Sequence, residues 1–310
     1  MRLFVYSDLP EAARAQLRQG LPAEVSAIYK SDLAPAQQAA EFQQAAVLFG
    51  NPPAEWLNKE LPGLKLWQLD SAGFDRYQGL AIAAPVANMG NYFAWPCAET
   101  MVAGLLALYR AVPELVHLQA EQRWVGGPIR ERMGLLRAKR VVILGAGTIG
   151  QAVRQQLGGF GCQVRLLART DPQAQLHSRE ELAAALPATD IVVNCLPGSA
   201  ENFFAADLIA ALPPHAIYAS VGRGNTTDEP ALLAALQAGR LGGAVLDVTA
   251  TEPLPPGHPL WGLPNVLLTQ HTGGGQPEEA EGKVAQLLRN LHRLQTGQPL
   301  ENQIALQRGY

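Results

Sequence analysis

A chain of 310 residues with 48% hydrophobic side chains is long enough for two ordinary domains, each with its own core, and its composition argues against disorder. The formal net charge of −3, with only 16% charged residues, excludes the basic field that nucleic acid or an anionic membrane surface would attract, so a small molecule is the expected ligand. The three cysteines, Cys97, Cys162 and Cys195, show no CxxC spacing, which points to reduced thiols in a cytoplasmic protein and to no metal site.

The opening MRLFVYSDLPEAA offers only a short apolar run before Ser7 and Asp8, too little for a secretion signal. RLFVY at 2–6 reads as a strand, the Ala/Gln/Arg segment 11–19 as a helix, EVSAIY as a second strand and a further Ala/Gln segment as a second helix, a βαβ rhythm. AVLF at 46–49, LKLWQL at 64–69 and LAIA at 80–83 are further strand candidates, each set off by Pro, Gly or Asn. A long apolar helix then begins at Pro96, a residue suited to a first turn where no backbone donor is needed. Its stretch 98–112 is interrupted by Glu99 and Arg110 and is too short for a bilayer of about 30 Å, so it reads as a buried helix.

After the polar stretch QRWVGGPIRERMG, the strand RVVIL runs straight into Gly145. Strand candidates recur at 164–168, 190–196, 216–221, 243–247 and 265–269, mostly separated by helical segments, one of which opens with the capping box Ser178 and Glu181. The last helix, 277–295, places Val284, Leu287, Leu288, Leu291 and Leu294 on one face and is expected to return to the first domain. No internal repeat is visible.

GAGTIG at 145–150 follows a strand and opens a helix, the context in which a GxGxxG pattern signifies dinucleotide binding. The glycines have separate tasks. Gly145 allows the tight turn, Gly147 lets the backbone approach a pyrophosphate, and Gly150 lets helix and strand pack closely, while the helix N-terminus faces the phosphates. Dinucleotide folds that take NAD place an acid at the end of the second strand to hold the ribose hydroxyls. Here that strand ends in Ala168, followed by Arg169 and Thr170, a guanidinium and a hydroxyl suited to a 2′-phosphate. NADP (as NADPH) is therefore the expected cofactor, with NAD possible.

Three downstream segments complete the pattern: SVGRGNTTDEPALLAAL around Arg223, GAVLDVTATEPLPPGHPLW around Glu252, and LPNVLLTQHTGGG around His271. On these segments the chain resembles the D-isomer-specific 2-hydroxyacid dehydrogenases over essentially its whole length, and within them the glyoxylate and hydroxypyruvate reductases. The resemblance implies a Rossmann-type dinucleotide-binding domain, 96–276, inserted into a smaller flavodoxin-like α/β substrate domain made of 1–95 and 277–310, with the active site in the cleft between them and a homodimer formed through the cofactor domains. It implies that Arg223 binds the substrate carboxylate bidentately and polarises the 2-keto oxygen, a task that suits a guanidinium better than a point charge. His271 is then the general acid, and Glu252 orients its imidazole and favours the charged form.

By the same resemblance Asp247 contacts the nicotinamide carboxamide, and Thr148, Ile149, Leu196, Pro197, Val221 and Gly274 join the glycine loop, Arg169 and Thr170 around the cofactor. DSAGFD at 70–75 resembles the loop whose backbone N–H groups hold the keto acid, which implicates Ala72 and Gly73, and FGNPP at 49–53 a second such loop, which implicates Gly50 and Asn51. Two departures bear on substrate preference and loop geometry: Ser220 stands where the family has Asn, and Gln270 where it has Pro. The expected activity is reduction of a small 2-keto acid to the D-2-hydroxy acid. The rival readings are a cofactor-sensing corepressor, which should carry partner-docking extensions beyond the last helix, and a dehydrogenase for formate or a phosphorylated hydroxy acid, for which no Lys/Arg cluster is visible in the first-domain loops.

Overall fold

Apolar runs of three to five residues, bounded by turn formers, become parallel strands because every second residue can be buried on each face of a sheet covered by helices. The computed structural model describes residues 1–308 and divides into two compact units, Met1–Tyr92 with the chain from Gln276 onward, and Phe93–Gly275.

In the first unit β1 (Arg2–Val5), β2 (Ser26–Tyr29), β3 (Val47–Phe49), β4 (Leu66–Gln68) and β5 (Val86–Ala87) form a parallel sheet, with α1 (Glu11–Gly20) and α2 (Pro35–Gln43) between its first strands. The expected strand at 80–83 does not form. Leu80, Ile82 and Ala84 pack singly against the core, and the ladder to β4 is taken up only after Pro85, which has no N–H to donate and accepts from Trp67 N instead.

The second unit opens with α3 (Ala94–Tyr109), which begins two residues before Pro96 and lies close on the sheet: a Cβ at Gly104 would come within 2.4 Å of Val245. α4 (Val112–Ala120) and α5 (Gly127–Arg130) follow, and then the alternation of β6 (Arg140–Leu144), α6 (Thr148–Gly158), β7 (Gln163–Leu167), α7 (Arg179–Ala185), β8 (Ile191–Asn194), α8 (Ala206–Ala210), β9 (Ile217–Ser220), α9 (Glu229–Gln237), β10 (Gly243–Leu246) and β11 (Val266–Leu268). The strand order is β7-β6-β8-β9-β10-β11, parallel throughout. The chain leaves β6 in one direction for β7 and returns on its other side for β8, so the switch point lies between the loops that follow β6 and β8, where ligands of open α/β sheets bind. Two apolar clusters cover the faces of this sheet, one centred on α3 and α6 with Met101, Val153 and Leu157, the other on Leu182, Phe204, Tyr218 and Leu236.

The chain then re-enters the first unit. α10 (Glu279–Gln295) buries Val284, Leu287 and Leu291 against Leu3, Val5 and Leu17, each such side chain contributing about 1.5 to 3 kcal/mol of transfer free energy. β12 (Gln303–Ile304) pairs antiparallel with β5 and completes a sheet of order β12-β5-β4-β3-β1-β2, a flavodoxin-like order with one added edge strand that was not expected from the sequence. Among the described residues no single helix is long and apolar enough to cross a membrane.

Candidate active site

The loops at the C-terminal ends of the second sheet carry the candidate residues. β6 runs into Gly145, whose φ of +98° is open to glycine at little cost, and its N–H continues the ladder to Leu167 O at 2.9 Å. A Cβ on Gly150 would lie 2.2 Å from Gly145 O, so the loop must fold back onto the first turn of α6. Gly147 caps α6 without any side-chain hydrogen bond, and a Cβ there would meet nothing within 4 Å. The leading N–H groups of α6, beginning at exposed Thr148, are therefore uncapped beside open space, and together with the helix dipole they fit a pyrophosphate. Ile149 instead turns partly into the core.

At the end of β7, Ala168 donates to Leu176 O at 3.0 Å, and Arg169 and Thr170 are exposed. The turn holds one feature that the sequence pattern did not flag: the imidazole Nδ1 of His177 lies 2.9 Å from Ala168 O, which brings a second group able to carry positive charge beside Arg169.

Asn194, which closes the otherwise apolar β8, was also missed. Its side chain accepts from Leu196 N at 3.0 Å and donates to Tyr218 Oη and Thr226 Oγ1, each at 2.8 Å, while its carbonyl accepts from Val221 N and Gly222 N at 3.0 and 3.1 Å. One buried amide thus fixes the loops of Leu196, Pro197, Val221 and Arg223 together, and the available signal was a polar residue ending a run of IVV. Gly222 is required where it stands, because a Cβ would lie 2.4 Å from Leu196 O. Arg223 follows at once, half-buried, with Nη1 donating to Gly222 O at 2.9 Å.

The imidazole of His271 and the carboxylate of Glu252 meet directly, Nδ1 to Oε2 at 2.7 Å. The carboxylate can only accept, so Nδ1 carries a hydrogen and Nε2 is the nitrogen left for exchange with another molecule. Glu252 is itself fixed by Thr249 N, which donates to Oε1 at 3.0 Å. His271 and Gln270 both have φ of +55°, sparsely populated for residues with a Cβ, and what holds them there is Asp247. This carboxylate, 4% exposed, accepts at Oδ1 from Thr269 Oγ1 at 2.6 Å and from Thr272 N and Gly273 N at 3.0 Å each, while its backbone carbonyl accepts from His271 N at 2.6 Å. Asp247 therefore anchors the histidine loop. Gly274 packs against the Phe93 ring, which a Cβ would approach to 3.0 Å. Cys97, on α3 near Asp247 and Arg223, has its thiol pushed up to about 12 by burial and then by the Asp247 charge, so it is no nucleophile.

In the first unit the two loops named from the sequence adjoin. Gly50, with φ of +109°, abuts Ser7, and its carbonyl accepts from Trp67 Nε1 at 2.9 Å. Asn51 Oδ1 lies 3.4 Å from Asp70 N. Asn88 Nδ2 donates to Ala72 O at 2.6 Å and Ser71 Oγ to Gly73 O at 2.7 Å, so the loop's carbonyls are tied down inside the unit.

A glycine loop uncapped at the switch point of a doubly wound parallel sheet, with a carboxylate-paired imidazole on the same sheet, defines a dinucleotide-dependent oxidoreductase. A family model described as "D-isomer specific 2-hydroxyacid dehydrogenase, NAD binding domain" matches residues 102–273. The glyoxylate/hydroxypyruvate reductase A of Klebsiella pneumoniae strain 342 is 35% identical over 221 residues, 68% of each chain. The D-isomer specific 2-hydroxyacid dehydrogenase of Xanthobacter autotrophicus Py2, solved with NADPH and MES, superposes with a TM-score of 0.82 at 28% identity, covering 100% of this chain and 99% of that one. The NADPH-dependent glyoxylate/hydroxypyruvate reductase of Sinorhizobium meliloti shares the fold with a TM-score of 0.83 at 23% identity, over 100% of this chain and 99% of that one. This chain belongs to the D-isomer specific 2-hydroxyacid dehydrogenase family.

Proposed function

We propose that this enzyme reduces a small 2-keto acid of the glyoxylate and hydroxypyruvate kind to the D-2-hydroxy acid, using NADPH in preference to NADH. The observation that carries the reading is the 2.7 Å pair of His271 Nδ1 and Glu252 Oε2, which leaves the imidazole Nε2 to exchange a proton. When bound, NADPH would supply the hydride for C2 of the keto acid. His271 Nε2 gives its proton to the keto oxygen as charge develops there, and the imidazole is left neutral. Glu252 accepts the Nδ1 hydrogen and keeps the ring from rotating. Arg223 pairs with the carboxylate and polarises the keto oxygen; Asn51, Ala72 and Gly73 are the first unit's candidates for binding the acid.

The glycine loop, Thr148 and the α6 N-terminus take the pyrophosphate, and Arg169 with Thr170 takes the 2′-phosphate. Leu196, Pro197, Val221 and Gly274 border the dinucleotide. Asp247 uses one oxygen on its own loop, which leaves the other for the nicotinamide carboxamide. The preference for NADPH draws support from Ala168, where an acid would repel a phosphate, and from the NADPH held by the Xanthobacter relative. A homodimer through the second unit is supported by Val116 and Trp124, 59% and 99% exposed, with Val112, Leu115 and Leu135 also exposed, an apolar display that monomers rarely keep. The three free cysteines suit a cytoplasmic enzyme.

His271→Ala tests the reading. With glyoxylate and hydroxypyruvate the variant should lose roughly 10² to 10⁴ in turnover while its affinity for NADPH stays at the parent value. Reduction of both acids at the parent rate would remove His271 from the chemistry, and a panel adding pyruvate and phenylpyruvate ranks the substrates.

A further inference from the structure

We infer that Glu229 is a positioning residue that clamps the turn bearing Glu252 to the segment bearing Arg223, so that proton donor and carboxylate-binding arginine keep one geometry. The inference rests on the roles proposed above for Arg223, Glu252 and His271.

The segment from Arg223 to Glu229 is short and internally braced. Thr226 donates to Arg223 O from both Oγ1, at 2.6 Å, and N, at 3.2 Å, and Asp228 caps α9 by accepting from Ala231 N at 3.0 Å. Glu229 is the first residue of α9, where the helix dipole already favours a carboxylate. A solvated first-turn acid would end there. This one does not: its side chain is only 14% exposed, and Oε2 leaves its own helix to accept from Ala250 N at 2.8 Å, while Oε1 lies 3.8 Å from Nε2 of His258. His258 Nδ1 accepts from Leu260 N, so its hydrogen sits on Nε2 and faces Glu229.

The same segment grips the turn a second time. Gly224 lies against the Thr249 carbonyl so closely that a Cβ would fall 1.9 Å from its oxygen. Thr249 and Ala250 are thus held by the two ends of one segment, and Thr249 N in turn holds Glu252 Oε1 at 3.0 Å. A continuous set of contacts therefore runs from Glu229 through Ala250 and Thr249 to Glu252 and on to His271 Nδ1. Without the Glu229 contact the Arg223 segment holds the turn through the Gly224 packing, and the Glu252 carboxylate can drift by the ångström that separates an oriented imidazole from a loose one.

Glu229→Ala and Glu229→Gln separate this role from a structural one, because the glutamine oxygen can still accept from Ala250 N. In Glu229→Ala turnover should fall roughly tenfold to a hundredfold, KM for the keto acid should move less than turnover, and NADPH affinity should not change. The downfield proton resonance of the His271 Nδ1–H in its bond to Glu252 should broaden or vanish. Glu229→Gln should recover most of both. Should Glu229→Ala fail to fold, Glu229→Asp keeps the charge at the helix head but falls one methylene short of Ala250, and is expected to show the same losses. Parent-level turnover and resonance in the truncated variant, or equal damage in Glu229→Gln, overturns the inference. Glu252→Gln, run in parallel, isolates the underlying reading: if it leaves turnover and resonance intact, the proposed role of Glu252 fails and this one with it, whereas losses there with none at Glu229 sink the clamp alone.

Discussion

The strands of the second sheet end very differently on their two sides. At their N-terminal ends Arg140, Asp190 and His215 close on one another: Asp190 accepts from Arg140 N, Nε and Nη2 at 2.8, 3.1 and 2.9 Å and lies 2.9 Å from His215 Nε2, and it is 7% exposed. At their C-terminal ends His271 and Glu252 pair in a half-open position, His271 has a left-handed backbone, and the glycine loop leaves helix N–H groups uncapped. One end closes its charges on each other around a buried carboxylate, and the other leaves its carboxylate–imidazole pair half-exposed. The same strands are thus finished for stability on one side and for chemistry on the other, and each end can be perturbed alone.

The largest effect on stability is expected at the closed end. Asp190→Asn removes the charge on which Arg140 and His215 close and should destabilise the fold by about 2 kcal/mol, without touching turnover at neutral pH. Its acid dependence has a definite sign. Hydrogen bonds from Arg140, opposed by burial and aided by His215, hold the Asp190 carboxyl well below the usual carboxylate range. That contribution is present above the pKa of an unfolded aspartate and is lost as pH falls through the lower folded value. Urea midpoints of parent and variant should therefore differ most near neutrality and converge below pH 4. Parallel curves down to pH 3 would contradict the pairing.

At the open end a tenfold effect is expected for the cofactor. The double variant Ala168→Asp, Arg169→Ala should reverse a preference for NADPH of about tenfold or more in kcat/KM, since one charge-assisted contact contributes roughly 1.5 to 3 kcal/mol. Equal use of both cofactors by the parent would locate the 2′-phosphate elsewhere. The smallest effect is a displacement. Glu252→Gln keeps an acceptor for Thr249 N but puts a neutral amide in place of the carboxylate beside His271, so the Nδ1–H proton resonance should move upfield as that bond weakens. An unmoved resonance would make Glu252 purely structural.

How far the sequence could be read follows the same division between local and distant causes. The glycine loop was legible because each glycine answers a nearby demand, a φ of +98° at Gly145 and the approach of Gly145 O at Gly150. Most strands were legible because an apolar run between turn formers has few other uses. LAIA at 80–83 misled for that reason: its apolar run suits a strand, but Pro85 and the register of β4 decide where pairing starts. β12 is two residues long and exists only because β5 offers an edge. Asn194 announced itself only as a polar end to an apolar run, and the contact of Glu229 and the anchoring bonds of Asp247 were beyond reading, because each acts on residues distant in sequence and nothing in its neighbours announces the partner.

The first unit takes its core from both parts of the chain, and that has a consequence for synthesis. Leu3, Val5 and Leu17 are covered by Val284, Leu287 and Leu291, and β12 seals the edge of β5, whereas Phe93–Gly275 is one uninterrupted stretch. As the ribosome releases the chain from its N-terminus, the second unit can close on itself while the residues made first still lack their covering helix. The segment made before the second unit is finished after it, and until α10 arrives it presents unpaired strand edge and bare leucine to whatever chaperone or neighbouring nascent chain is at hand.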